Sequence, residues 1–303
     1  MRVFITGASG YIGSAVAAAF ARAGHEVRGL VRTASKSARL AAREIEPVLG
    51  SMDDPKSYAA AVSSSSVLVH CAAEYSPRYM ELDRKTVTSL IDAARAAQLP
   101  RAILYTSGVW VYGDTGDGRA DEASAPNPPG LVRSRAEHER MVLGANGGAL
   151  RTIVIRPGCV YGASGSLTAA WFESAEKKGA ASIVGDGSQR WAMIHLDDLA
   201  SFYVRAAESS FGGEIFNATD RSRFTVMDCA RAASRAAGAN GKVEALYVPE
   251  AAKSLGPMAE CLALNQHIDS SKAVRLLGWQ PRHSGFVDGI ERYYRAWKAS
   301  SAS

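Results

Sequence analysis

With 303 residues, 47% of them hydrophobic and 21% charged, the chain can bury one large α/β core and carry a smaller appendage. A net charge of +5 with no run of Lys or Arg argues for a solvated surface and against a nucleic-acid footprint. Cys71, Cys159, Cys229 and Cys261 are scattered without a Cys-x-x-Cys pair, so no metal site is expected, and reduced thiols in a cytoplasmic protein are. No signal peptide precedes the first strand and no apolar run reaches the roughly 18 residues of a membrane span, so no membrane association is expected.

Val3-Phe4-Ile5 reads as a short buried strand, and Thr6-Gly7-Ala8-Ser9-Gly10-Tyr11-Ile12-Gly13 turns from it into an alanine-rich helix ending near Ala23. The three glycines have separate roles: Gly7 permits the tight turn, Gly10 lets the backbone approach a pyrophosphate, and Gly13 lets the helix pack on the strand. The helix start offers N–H groups and partial positive charge to phosphates. A second strand is expected over His25–Arg32, after Gly24 as a helix stop. In such a unit an acidic residue at this strand's end bonds the ribose 2′-OH of NAD, whereas Arg accommodates the 2′-phosphate of NADP. The chain has Arg32, then Ser35 and Lys36, with no Asp or Glu between Val27 and Lys36. NADP (NADPH) is therefore expected over NAD.

Ile45–Leu49 reads as a third strand, Asp54-Pro55 as a helix start, and Val67-Leu68-Val69 as a strand from the interior of a parallel sheet. A helix over Met80–Gln98 puts Leu82, Val87, Leu90, Ile91 and Ala94 on one face, and Ala102–Thr106 follows as a fifth strand. The loop Asp114–Pro129 carries four acidic residues without EF-hand spacing, so it reads as solvated rather than calcium-binding. Leu131–Leu143 is expected as a helix and Thr152–Ile155 as a sixth strand. Further on, Trp171–Lys178 reads as a helix, Ser182–Val184 and Glu214–Asn217 as strands, and Met193–Leu199 as a strand–helix junction; the remainder is mainly helical, closing with Phe286–Lys298. This alternation predicts right-handed crossovers and a doubly wound parallel sheet.

Several motifs together carry a resemblance: Thr6-Gly7-x-x-Gly10-x-x-Gly13, His70-x-Ala72-Ala73, Tyr105-Thr106-Ser107 ahead of Tyr112-Gly113, Arg156-Pro157-x-x-Val160-Tyr161-Gly162, Gly185-Asp186-Gly187, His195-x-Asp197-Asp198 and Leu277-Gly278-Trp279-x-Pro281. In this order the chain resembles the extended short-chain dehydrogenase/reductase superfamily of the epimerase/dehydratase type. The resemblance implies an α/β Rossmann fold: a dinucleotide-binding domain over 1–162 and 192–217, and a smaller substrate-binding subdomain over 163–191 and 218–303. It extends the cofactor-binding set from Gly7, Ser9, Gly10, Tyr11, Ile12, Gly13, Arg32 and Lys36 to Ser51, Met52, Cys71, Ala72, Ala73, Thr106, Arg135, Pro157 and Val160. It also implies a homodimer.

The superfamily's chemistry uses a Tyr-x-x-x-Lys pair and a Ser or Thr four residues before Tyr-Gly. A free tyrosine has a pKa near ~10, and the lysine's charge makes its phenolate accessible. Here the hydroxyl position falls on Gly108, the lysine position on Arg135 and the tyrosine position on Leu131. Arg135 keeps the charge but stays protonated, so it cannot act as a base. Tyr294-x-x-x-Lys298 lies on the last helix, in the wrong place, and reads as an amphipathic surface. Ser107 and Tyr75 are the replacement candidates for catalysis, with Arg135 beside them. Gly108, Trp110, Leu131, Arg133, Tyr161 and Trp191 are the candidate substrate-binding residues, Trp110 suggesting an aromatic or apolar small molecule. The leading expectation is an NADP-dependent oxidoreductase acting on a small carbonyl, imine or activated alkene with a non-standard proton donor. A non-redox lyase or isomerase on the same fold, or a catalytically silent NAD(P)-binding regulator, are the alternatives.

Overall fold

The computed structural model describes residues 1–74, 76–97 and 100–301. The first half runs β1 (Arg2–Thr6), α1 (Tyr11–Arg22), β2 (Glu26–Val31), α2 (Ala34–Ala41) and β3 (Glu46–Leu49). A 3₁₀ turn at Pro55–Tyr58 leads into α3 (Ala59–Ser63), followed by β4 (Val67–His70), α4 (Tyr79–Ala96) and β5 (Arg101–Thr106). Then come α5 (Arg133–Gly144), β6 (Leu150–Pro157), β7 (Cys159–Tyr161), α6 (Ala169–Lys178), β8 (Ala181–Val184), β9 (Met193–His195) and α7 (Leu196–Glu208). The chain continues with β10 (Glu214–Ala218), α8 (Val226–Ala236), β11 (Val243–Leu246), α9 (Val248–Leu255) and α10 (Met258–Leu262). It closes with α11 (Ser271–Leu277) and α12 (Ile290–Ser301).

Seven strands form one sheet in the order β10-β6-β5-β4-β1-β2-β3. The registers Phe4↔Arg28, Phe4↔Leu68, Leu68↔Ile103 and Ile103↔Thr152 are all parallel. The interior strands β4 and β5 are buried at every residue, as a sheet covered on both faces requires. The fold is thus the α/β, parallel-sheet Rossmann architecture that the alternation predicts.

The described chain divides into two compact units. The first combines Met1–Ser107, Glu137–Ile155 and Ala200–Phe216; the second combines Gly108–Ala136, Arg156–Leu199 and Asn217–Ser303. Phe4, Leu68, Leu90, Ile103 and Val154 belong to the core of the first. The second is built on aromatic rings, with Tyr161, Trp171, Phe172, Phe286, Tyr293 and Trp297 packed together.

Some elements differ from their expected form. A helix was expected to start at Leu131, but a 3₁₀ turn occupies Gly130–Val132 and α5 begins only at Arg133. The last helix begins at Ile290 rather than Phe286: Phe286 is wholly buried among aromatics, behind Gly285 in a φ +143° conformation. Cys159–Tyr161 is a strand of its own, paired with β9, and β11 pairs with β8 in a region expected to be helical. The expected last turn of α4 at Gln98 lies outside the described residues.

Candidate functional site

In the first unit, the glycine turn is sterically obligatory. Gly7 has φ +74°, and a Cβ there would lie 2.7 Å from the Ala72 backbone. A Cβ on Gly13 would lie 2.1 Å from the Gly7 carbonyl oxygen, so nothing larger than hydrogen lets α1 start against this turn. The Gly10 N–H closes the loop onto the Gly7 carbonyl at 2.8 Å. No side chain caps α1, and no acidic residue stands in its first turn. The residues present therefore fit a dinucleotide's pyrophosphate: a close backbone approach at Gly7–Gly13 and a helix start without a competing carboxylate. Ser9, Tyr11 and Ile12 are half-buried along the same loop.

Arg32 follows β2 directly and is exposed; its Nη1 donates to Glu74 Oε2 at 3.1 Å. Thr33 caps α2 by accepting from the Lys36 N–H at 3.4 Å, which holds Lys36 in the first turn of that helix. Past β3, Ser51 Oγ accepts the Asp53 N–H, while Met52 packs against the core. Ala72 and Ala73 continue from β4, and the Ala72 backbone passes so close to Gly7 that only glycine fits at that position. Burial pushes the Cys71 thiol up to about 11, so it is not a thiolate at neutral pH. The Thr106 hydroxyl, at the end of β5, sits 2.6 Å from the Tyr203 hydroxyl and donates to Cys71 Sγ at 3.3 Å.

Ser107 is different. Its N–H donates to the Ile155 carbonyl at 2.8 Å, but its hydroxyl is buried without a hydrogen-bond partner. A buried orphan hydroxyl carries a desolvation cost that a ligand's oxygen would relieve. Tyr75, the other replacement candidate, lies outside the described residues.

The same unit holds a buried polar cluster that sequence reasoning missed. Asp83, on α4 and 2% exposed, accepts from His70 Nε2 at 3.0 Å, from the Tyr105 hydroxyl at 2.8 Å, and bonds His138 Nδ1. His70 Nδ1 in turn lies 2.5 Å from Thr6 Oγ1. Burial alone would raise the Asp83 pKa, but the bonds from His138 and His70 outweigh it and hold the carboxylate ionised. Burial, with the Asp83 charge beside it, drives the Tyr105 phenol well above its ordinary range. A signal existed: Asp83 falls among Leu82, Val87 and Leu90 on the buried face of α4, where an unpaired charge is not tolerated.

In the second unit, Gly108 is extended at φ −179°, and the nearest atom to an added Cβ is the Pro157 carbonyl oxygen at 3.9 Å. Packing therefore does not exclude a side chain at the superfamily's hydroxyl position. Trp110 is half-buried in the 3₁₀ turn Val109–Tyr112, and Leu131 is 37% exposed. Arg133 opens α5 exposed, and Arg135 is half-buried a short way along it. Pro157 and Val160 are buried. The Trp191 ring stacks on Trp171 at 5.0 Å between centroids and donates through Nε1 to the Leu262 carbonyl, so it is packed as well as polar-bonded.

Tyr161 is fully buried, with its ring edge-on to His195, Phe286 and Tyr293. Its hydroxyl and Asp220 Oδ2 are buried near one another, close enough to interact but without a hydrogen bond of full geometry to any group. Burial pushes Asp220 up to about 6 and Tyr161 far above its usual range. His195 stacks on His283 at 3.5 Å and 15°; burial and that second ring depress its pKa to about 4. His195, Asp197 and His283 bring three donor groups within 4.8 Å of one another. His195 Nδ1 already accepts the Asp197 N–H at 3.1 Å, and His283 Nδ1 bonds Asp198 at 3.0 Å. Stacked parallel rings also aim their in-plane lone pairs side by side rather than at one point, so the group serves the start of α7. Tyr294 and Lys298 both bind Glu176 at 2.6 Å, fastening α12 to α6. Among the described residues no helix is long and apolar enough to cross a membrane.

A parallel sheet whose first strand turns through a glycine cradle into an uncapped helix defines a dinucleotide-binding protein. The family model of the NAD dependent epimerase/dehydratase family matches residues 3–219, and the chain belongs to that nicotinamide-dependent family. It is 29% identical, over 73% of this chain and 68% of the relative, to the 4-hydroxy-2-methyl-3-oxo-4-farnesyl-3,4-dihydroquinoline-1-oxide ketoreductase of Stigmatella aurantiaca. It is 28% identical, over 96% of this chain and all of the relative, to a 3-diazoavenalumate denitrifying reductase of a Streptomyces species. Among solved structures, the dTDP-glucose 4,6-dehydratase of Bacillus anthracis in complex with NAD superposes with a TM-score of 0.85 at 17% identity, covering all of this chain and 98% of the other.

Proposed function

We propose that the protein is an NADP-dependent oxidoreductase acting on a small carbonyl, imine or activated alkene. Bound nicotinamide supplies or accepts the hydride at C4. The chain's own residues do the rest: Gly7–Gly13 hold the pyrophosphate, Arg32 and Lys36 take the 2′-phosphate, and Ser107 holds the substrate oxygen. Arg135 retains the positive charge of the superfamily's lysine without its ability to accept a proton. The proton comes from solvent, Tyr75 or Ser107. Positioning contributes a large part of such a rate, so the loss of the usual tyrosine does not preclude turnover. Reductases among the relatives support the reaction class.

The single observation that carries the proposal is the buried, partnerless hydroxyl of Ser107 at the end of β5. Purified protein is expected to oxidise NADPH with at least one member of a carbonyl, imine and enone panel. Ser107→Ala is expected to lower kcat by about 100- to 1,000-fold, on the scale of one donor to a developing charge, with NADPH affinity retained. Tight NADPH binding with no turnover across the panel overturns the reading. That outcome would favour the catalytically silent regulator, for which the open but side-chain-free Gly108 speaks.

A further inference from the structure

The end of β2 lacks the acidic residue that selects NAD, yet an acidic residue reaches the same place from another strand. In the sheet, β1 lies between β4 and β2. Arg32 stands one residue past β2 and Glu74 four residues past β4, so their 3.1 Å ion pair reaches across the carboxyl end of β1, the edge that carries the glycine turn. The segment leading to Glu74 is not loosely placed: the Ala72 backbone lies against Gly7 so closely that a Cβ on Gly7 would come within 2.7 Å. Glu74 takes one guanidinium nitrogen, Nη1. The Arg32 side chain is 61% exposed and that of Glu74 33%, so the pair is solvent-screened and can rearrange at little cost.

We infer that Glu74 is a specificity-determining residue whose carboxylate tempers the preference of Arg32 for a 2′-phosphate and keeps NADH competitive. The inference rests on the proposed role of Arg32 in holding that phosphate. A 2′-phosphate brings up to two negative charges to Arg32, and Glu74 opposes them from well inside a Debye length of about 8 Å. The 2′-hydroxyl of NADH carries no charge, and Glu74 does not oppose it.

The test is calorimetric or fluorescence titration of the full chain with NADPH, NADH and 2′,5′-ADP, at low and high salt. Glu74→Gln keeps an acceptor for Arg32 and removes only the charge. It is expected to tighten NADPH and 2′,5′-ADP about three- to tenfold at low salt, an exposed charge pair scaled by the second phosphate charge. NADH is expected to stay within about twofold, the NADPH gain to shrink at high salt, and Glu74→Asp to behave as the parent. An unchanged or weakened NADPH affinity in Glu74→Gln, or an equal gain for NADH, overturns the inference. Arg32→Gln separates the two readings: weaker NADPH there with no effect of Glu74→Gln sinks Glu74 alone. No effect of Arg32→Gln on NADPH sinks the NADP reading itself.

Discussion

Asp220 and His195 belong to the same unit, and burial shifts both in ways that oppose each other. Asp220 is raised from 3.8 to about 6, so its contribution to stability is full below the unfolded value and is lost as pH rises through about 6. His195 is depressed from 6.5 to about 4, so its folded form is favoured above the unfolded value and penalised as pH falls toward 4. Between about pH 4 and 6 the two slopes therefore oppose one another, so that each partly cancels the other in the parent. Asp220→Asn removes the falling one, and the variant's urea-unfolding free energy is expected to rise between pH 5 and 7 by about 1 kcal/mol more than the parent's. Parallel pH profiles for the two proteins would show that Asp220 does not titrate in this range. Single residues were unequally legible in the sequence. The lost hydroxyl at Gly108 is visible from motif alignment alone, but only the structure shows that a side chain would fit there. Nothing local to Asp220 indicated that it is buried with an unsatisfied oxygen.

At the scale of elements, the buried Asp83 cluster joins more of the first unit than any single apolar contact does. It links α4 to β4 through His70, to β5 through Tyr105 and to α5 through His138, and reaches β1 through Thr6. Asp83→Ala leaves three buried donors without their shared acceptor and is expected to cost about 3 to 5 kcal/mol, read as a lowered midpoint of urea unfolding. Asp83→Asn keeps an acceptor and is expected to cost less; a loss below about 1 kcal/mol in Asp83→Ala would mean that the cluster is solvated in the folded protein. The elements that sequence patterning found share one property: their signal is local. β1 and α1 announce themselves by glycine spacing, and α4 by an apolar stripe. The elements that it missed depend on distant partners. β11 has exposed residues at its centre and is a strand because it pairs with β8 some sixty residues earlier. α2 buries a single side chain, Leu40, so its polar sequence carries little helical pattern.

Across the whole molecule, the sheet's strand order decides when each strand can find its neighbours. β1 waits for β4 to cover its second edge, and the β6 edge stays open until β10 arrives. The first unit is assembled from three separate stretches of chain, the last of them Ala200–Phe216. A chain ending at residue 199 keeps only the first turn of α7 and lacks β10, and protease is expected to cut it within Met1–Ser107 faster than it cuts the full chain there; equal resistance of that stretch would show that the first unit is complete without its last stretch. The weave also sets a schedule on the ribosome. From the end of β6 at Pro157 to the start of β10 at Glu214, synthesis at 5–20 residues per second takes roughly 3 to 11 seconds. Throughout that interval a nascent chain presents an unpaired strand edge beside an apolar face, the form of exposure that holding chaperones and neighbouring polysomal chains compete to cover.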